Sequence, residues 1–506
     1  MSQTEETKSK SLLSPKWIRI WVPILLFSVA AYFPIFLHLG SFPLKNFDES
    51  LFAMRAYKMA HEGEYLYNFR DFPDGPSSTN VKPTFFTTIQ ALSFKILGYN
   101  EIALRLPVAL CVVLLLGFFL RLSYLETGSL TWGYFCGLVL ITSIGFIRVH
   151  ISRTGDHDAP LAVMGWLSLL YFFRYLQNDR KSTRDLWIFT FLMIAATLTK
   201  SVSGLFFVPA LVIYSLYKKQ FVALMTSKEL WLSVAAFVIA VGGFYLVREI
   251  EHPGFWKSIV KGELTGRYLG TLGGHKWPWY WYAVRLYKIK FMPWLLFLPL
   301  GMGLMIANKN RRIRDFGVLM TLAGLVWLIV ISTAQTKLEW YDASLYPIMA
   351  ILVGYSLYRI YQGIIHYLKL KTGIYRWIYT IAFFAFVFIL PYKNIIEKVY
   401  HPKDIDYPGE RYGLLIEQVK KKFPDLKEFT IQYDGFSTHI LFYQLTNNNH
   451  RGYKISRIDK PEEAFVGMTV MACEPRDVKY FEENFEVEPI SGKEGCKMWK
   501  LVGAKE

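Results

Sequence analysis

Apolar runs approaching the length of a membrane span recur along most of this chain, and few soluble folds accommodate that pattern. Trp21 to Leu37 and Thr380 to Tyr392 are two of them. A helix crosses the ~30 Å hydrocarbon layer with about 20 apolar residues. The runs begin near Ile18, Ala103, Thr131, Ala159, Leu186, Val202, Leu230, Tyr282, Phe316, Ala343 and Trp377. They predict a polytopic α-helical membrane protein with about 11–13 transmembrane helices. Lys200 interrupts one long run, and Phe85 to Leu97 is a further candidate to dip into the membrane. Composition agrees: 53% of the 506 residues are hydrophobic and only 19% are charged.

Charge orients the spans. With the N-terminus inside, the inner segments collect Lys8 to Arg19, Arg174 to Arg184, Lys218 to Lys228, Lys309 to Arg314 and Arg359 to Arg376. The short outer turns hold only Arg153, Lys200 and Lys337 as basic residues. Short basic loops stay cytoplasmic. The net charge of +17 is therefore read as topology determination, and no nucleic-acid partner is expected. No small-residue cleavage site follows the first run, so it is read as an uncleaved span.

Two outer segments, 40–101 and 249–281, are too long for simple turns. The first carries a helical pattern after Asp48, with Phe52, Ala56, Met59 and Ala60 on one face and Arg55, Lys58 and Glu62 on another. Such a helix suits the membrane surface. The turn-rich stretch Asp71 to Asn80 follows it. The second ends in the aromatic cluster Trp277 to Tyr282, which suits an interface belt. From about Lys393 the composition becomes mixed polar. Helices over 411–423, 438–445 and 477–485 and strands over 429–433, 467–472 and 498–502 predict a small α/β domain outside. The division is thus a transmembrane part, 1–392, and an extracytoplasmic domain, 393–506. Cys111 and Cys136 lie inside apolar runs, whereas an oxidising compartment would permit a Cys473–Cys496 disulfide.

The ionisable residues at the membrane edge fall on the outer side: Asp48-Glu49, Lys82, Asp156 and Asp158, Lys200, His275, Lys337 and Tyr341. Groups placed there are costly and often functional. Each also has a structural reading. Asp48 and Asp158 suit helix N-caps, the lysines suit snorkelling, and His275 suits an aromatic belt. As a set, carboxylates beside lysines fit proton removal from a hydroxyl and stabilisation of a departing phosphate. No Walker loop, HExxH or paired CxxC is present. The substrate must then arrive already activated.

These residues lie in a recognisable order. Phe47-Asp-Glu-Ser-Leu-Phe-Ala53, Val81-Lys-Pro-Thr-Phe85, Gly98-Tyr-Asn-Glu-Ile-Ala-Leu-Arg-Leu-Pro107, Asp156-His-Asp158-Ala-Pro, Leu198-Thr-Lys200, His275 to Tyr282 and Lys337-Leu-Glu-Trp-Tyr341 follow one another on the outer side. Over residues 15–360 the chain resembles the GT-C glycosyltransferases of the aminoarabinose-transferase and protein O-mannosyltransferase type. Thr84, Val81 and Ser201 depart from that pattern. The resemblance implies a polyprenyl-phosphate-linked sugar donor, an acceptor hydroxyl or phosphate, and inversion at the anomeric carbon. It implies that Asp48, with Glu49 and Asp158, forms the catalytic acidic group, Asp48 being the base. Lys82, Tyr341 and Lys200 would bind the donor phosphate, and Asp156, His275 and Lys337 would line the site. No cofactor is expected, with a divalent metal left open. Membrane lipids, the donor and a lipid, glycan or protein acceptor are the expected partners, at the inner membrane. A glycan ligase or polymerase using pyrophosphate-linked donors is the enzymatic alternative, and a transporter the non-enzymatic one.

Overall fold

The computed structural model of the protein describes residues 15–63, 82–178, 182–271, 273–370, 373–400, 410–435 and 438–505. The predicted turn over 71–80 lies outside them, as do the basic residues before Pro15. The helices of the first half are α1 (Pro15–Phe36), α2 (Asp48–Glu62), α3 (Phe85–Leu97), α4 (Glu101–Thr127), α5 (Thr131–Ile141), α6 (Asp158–Gln177), α7 (Thr183–Lys200) and α8 (Val208–Tyr217). Beyond them run α9 (Lys228–Glu251), α10 (Trp281–Lys290), α11 (Trp294–Ile306), α12 (Arg311–Thr333), α13 (Leu345–Tyr367) and α14 (Ile374–Tyr400).

Among the described residues, seven helices are long and apolar enough to cross a membrane: α4, α6, α7 with its 3-10 extension to Leu205, α9, α12, α13 and α14. The run near Tyr282 is a broken span, α10 and α11, bent by 114°. The runs at Thr131 and Val202 appear as the shorter α5 and α8, and the run at Ile18 is α1. Local sequence sets the ends. Asn100 caps α4 by accepting from the Ala103 N–H at 2.9 Å, and Gly128 terminates it in the left-handed conformation. The main core lies between α4, α5, α6 and α13, around Phe119, Trp132, Trp166 and Tyr346. Helices α5 and α13 meet closely because Gly354 has no side chain: a Cβ there would stand 2.5 Å from the Cys136 sulfur.

The C-terminal part contains α15 (Arg411–Lys422), β1 (Glu428–Gln432), α16 (Thr438–Arg451), β2 (Lys454–Ile458), β3 (Thr469–Ala472), α17 (Pro475–Asn484), β4 (Phe485–Lys493) and β5 (Cys496–Ala504). Its sheet has the order β2-β1-β3-β5-β4, parallel on the β2-β1-β3 side and antiparallel through β5 and β4. Cys473 and Cys496 form a disulfide that ties the end of β3 to the start of β5. The sequence pattern misses β2 and β4. Both are edge strands, and they carry the charged residues that blunt exposed sheet edges.

One placement differs from expectation. Helix α2 does not offer its apolar face to lipid. Ala53, Ala56, Met59 and Ala60 are buried against α3 and α16 of the C-terminal domain, and Arg55, expected on the polar face, is buried with them. Tyr57 accepts a hydrogen bond from Asn449 at 2.8 Å, and its ring packs edge-on against His450. Protein takes the apolar stripe because a second domain covers it.

Candidate active site

The site begins with the loop that delivers Asp48. Glu49, its neighbour, is fully buried and accepts four hydrogen bonds. Arg105 gives two, at 2.7 and 2.9 Å, and the Lys45 and Gly155 N–H groups give one each, at 2.8 and 2.7 Å. Arg105 also donates to the carbonyls of Leu39, Phe42 and Pro43. Burial alone would raise the Glu49 pKa, but the Arg105 charge and the donated bonds outweigh it and hold the carboxyl below its usual range. Both Glu49 oxygens are therefore occupied. The two neighbours are placed differently: Glu49 holds the loop, and Asp48 is left partly exposed at the first turn of α2. Breaking such a buried pair from one side costs about 3–5 kcal/mol. Glu49→Ala is expected to lower unfolding stability in detergent by that order, and an unchanged melting curve would remove the clamp.

Phe47, immediately before Asp48, has φ 63°, and His150 has φ 66°. Non-glycine residues in this region are strained and concentrate at functional sites. The Asp156-His157-Asp158 motif is divided three ways. Asp156 faces His150 at 3.4 Å. His157 enters the core, stacking on Phe52 at 3.7 Å with Nε2 facing Gln90 Oε1 at 3.1 Å. Asp158 pairs with Lys200 from α7. Phe47 and His157, rather than Asp48 and Asp158, stand at the N-cap positions of α2 and α6, so neither aspartate is the cap its place in the sequence suggests.

Asp48, His150 and Asp156 each bring one ligand-type atom within 4.8 Å of one another. Two carboxylates and an imidazole are a donor set for a divalent cation. The same geometry charges the histidine. Burial disfavours His150 protonation, but Asp156, Asp48 and Glu49 outweigh it and raise its pKa to about 9. Its imidazolium, stacked on Trp340 at 4.3 Å, then supplies the positive charge between the carboxylates. A raised pKa stabilises the fold fully below the ordinary value of 6.5, and the contribution disappears as pH rises through about 9. Thermal midpoints of the protein and of His150→Gln are expected to differ at pH 6 and to converge above pH 9. A constant gap would contradict the assignment.

Beside this cluster lies a cavity of about 280 Å³. Its polar wall holds Asp158, Lys200, Glu263, Arg267 and Tyr341, and Leu161, Phe206, Trp327, Val330 and Ile331 form the apolar remainder. Lys82 joins it through Glu263, at 2.6 Å. Arg267 donates to the Tyr341 hydroxyl at 3.2 Å, and Lys200 lies 5.9 Å from the Tyr341 ring centre. Three cations, Lys82, Lys200 and Arg267, thus face two carboxylates, Asp158 and Glu263, leaving one positive charge over. Burial pushes the Lys82 pKa down; Glu263 opposes this, while Arg267 and Lys200 add to it. An incoming anion would relieve that repulsion.

The sequence expectations are thus brought together in part. Asp158, Lys200 and Tyr341 line the cavity, Lys82 reaches it through Glu263, and Asp48 and Asp156 lie within electrostatic reach of Asp158 in its wall. His275 and Lys337 do not line it. His275 is exposed, and its carbonyl accepts from the Lys337 N–H at 3.0 Å. The Lys337 ammonium is buried and turns back to the Ala334 carbonyl at the end of α12, where a cation satisfies an unpaired helix carbonyl. Sequence reasoning missed His150, Glu263 and Arg267. The spacing Glu263–Arg267, one helical turn within an outer loop, was the available signal.

The profile of the dolichyl-phosphate-mannose-protein mannosyltransferase family matches residues 81–244. A functionally uncharacterised protein of Aquifex aeolicus is 26% identical over 351 residues, which are 67% of this chain and 63% of that protein's length. The structure resembles ArnT of Cupriavidus metallidurans bound to undecaprenyl phosphate, with TM-score 0.67 and 15% identity over 95% of this chain and 98% of that one. It also resembles the oligosaccharyltransferase of Archaeoglobus fulgidus tethered to an acceptor peptide, with TM-score 0.54 and 12% identity over 96% and 75% of the two chains.

Proposed function

From the GT-C glycosyltransferase fold that this multi-pass membrane chain carries, we propose that it transfers one sugar from a polyprenyl-phosphate carrier to an acceptor on the outer side of the inner membrane. The carrying observation is a cavity whose wall combines cations with apolar residues and whose Asp158, Lys200 and Arg267 lie within electrostatic reach of Asp48. A phosphodiester of charge −1 matches its single excess positive charge, and the first isoprene units suit Phe206, Trp327 and Ile331. ArnT was solved with such a phosphate lipid, which supports the same ligand class here.

In this reading Asp48 accepts the proton of the acceptor hydroxyl as its oxygen attacks the anomeric carbon. The bond to the carrier phosphate breaks with inversion, and the phosphate leaves with both electrons. Lys82, Lys200 and Arg267 stabilise the charge growing on it, and the Tyr341 hydroxyl lies in the same wall. Asp158 holds Lys200 toward the cavity. His150 and Asp156 set the field around Asp48.

The test is product analysis with synthetic donors in proteoliposomes. A polyprenyl-monophosphate sugar should yield a singly glycosylated, inverted product and free polyprenyl phosphate. Turnover only with a pyrophosphate-linked glycan would transfer the reading to a ligase. An activated donor needs no cofactor, so activity is expected to survive exhaustive chelation. Loss that a divalent cation restores would make Asp48, His150 and Asp156 its ligands.

A further inference from the structure

The loop that carries Asp48 is held from two sides, and only one belongs to the membrane domain. From below, Arg105 and Glu49 fix residues 39–45 and the Gly155 N–H. From above, the C-terminal domain reaches the same residues. Glu410, at the start of α15, accepts from Lys45 Nζ at 2.9 Å and from the Asn46 N–H at 3.1 Å. Tyr443, on α16, accepts from the Leu44 N–H at 2.9 Å and donates to Glu101 at 2.6 Å. Lys45, Asn46, Glu410 and Tyr443 are 7%, 6%, 2% and 3% exposed. Leu44 and Asn46, the residues that Tyr443 and Glu410 seize, lie within four positions of Asp48.

We infer that Glu410 and Tyr443 are positioning residues for the reaction: the C-terminal domain forms the upper jaw of the clamp that sets Asp48 against the cavity. Three consecutive residues, Leu44, Lys45 and Asn46, give that jaw a grip on both backbone and side chain. Phe47 must hold φ 63° to turn Asp48 out of the buried pair. A strained residue keeps such a conformation only where its surroundings over-determine it, and the two jaws do so. A buried, charge-assisted contact spanning 365 residues of sequence is an expensive way to tether a domain. Its placement at the catalytic loop, beside the Tyr57 contacts on α2, gives it a purpose beyond attachment. The inference rests on the reading of Asp48 as the base.

The test uses the full chain in lipid nanodiscs with Glu410→Ala, Glu410→Gln and Tyr443→Phe. Hydrogen exchange of residues 40–50 is read beside that of the five-stranded sheet, and kcat beside the donor KM. Glu410→Ala and Tyr443→Phe should speed exchange at 40–50 about tenfold while the sheet stays protected. In both, kcat should fall about 10–100-fold with the donor KM unchanged, as for a misplaced catalytic group. Glu410→Gln keeps an acceptor for the Asn46 N–H and should recover part of kcat. Wild-type exchange at 40–50, or deprotection of the whole sheet, would overturn the positioning role. The exchange measurement needs no sugar donor, so a faster loop with an Asp48→Asn variant of full activity would sink the reading of Asp48 and leave the clamp itself standing.

Discussion

Asp48→Asn is expected to reduce sugar transfer by about 10²–10⁴-fold, the span of a positioned general base, with expression and unfolding temperature near those of the parent chain. The expected sparing of stability has a structural cause. The fold at this corner is held by Glu49, whose carboxylate takes the Arg105 guanidinium and two backbone N–H groups. Asp48 is not the cap of α2, a position Phe47 takes, and it stands partly exposed. Neighbouring carboxylates therefore separate two effects. Asp48→Asn should lose turnover and keep its stability, and Glu49→Ala should lose stability. Purified Asp48→Asn with normal turnover would end its assignment as the base.

The second large effect is a pair of opposite signs. Lys82→Ala is expected to weaken binding of the polyprenyl-phosphate donor about 10–100-fold, the equivalent of a charged hydrogen bond worth about 1.5–3 kcal/mol. Glu263→Gln is expected to do the reverse. In the structure Glu263 neutralises Lys82 at 2.6 Å and lies in the cavity wall with Arg267. A donor phosphate must compete with that carboxylate for both cations. Removing its charge should tighten polyprenyl-phosphate binding and slow release of the carrier. Titration of the purified protein with polyprenyl phosphate reads both changes. Equal weakening by the two substitutions would show that the Lys82–Glu263 pair is structural, and unchanged affinity in both would remove it from the phosphate site.

The two halves of the wall differ in how visible they are in the chain. Lys82, Asp158 and Lys200 stand next to membrane-length apolar runs, where a charge is conspicuous. Arg267 and Glu263 lie in a polar outer loop of ordinary composition, where no contrast marks them. His150, itself at positive φ between α5 and α6, becomes meaningful only when Asp48 and Asp156 close around it. Lys337 shows the converse. It is conspicuous beside an apolar run, yet its ammonium turns to a helix end.

What the sequence determined by itself is what depends on local contrast with lipid: that the chain is a membrane protein, and where most spans fall. The alternation of helix and strand after Arg411 is legible for the same reason, because each buried face has its own period. Tertiary structure alone decided which of two adjacent carboxylates is clamped and which is free. It also decided that α2 packs under a second domain, and that three cations converge on one cavity. Those outcomes depend on contacts between residues hundreds of positions apart, such as Lys45 with Glu410 and Lys82 with Glu263. The hydrophobic pattern of a segment fixes which face is buried, but it carries no information about which distant charge will be waiting there.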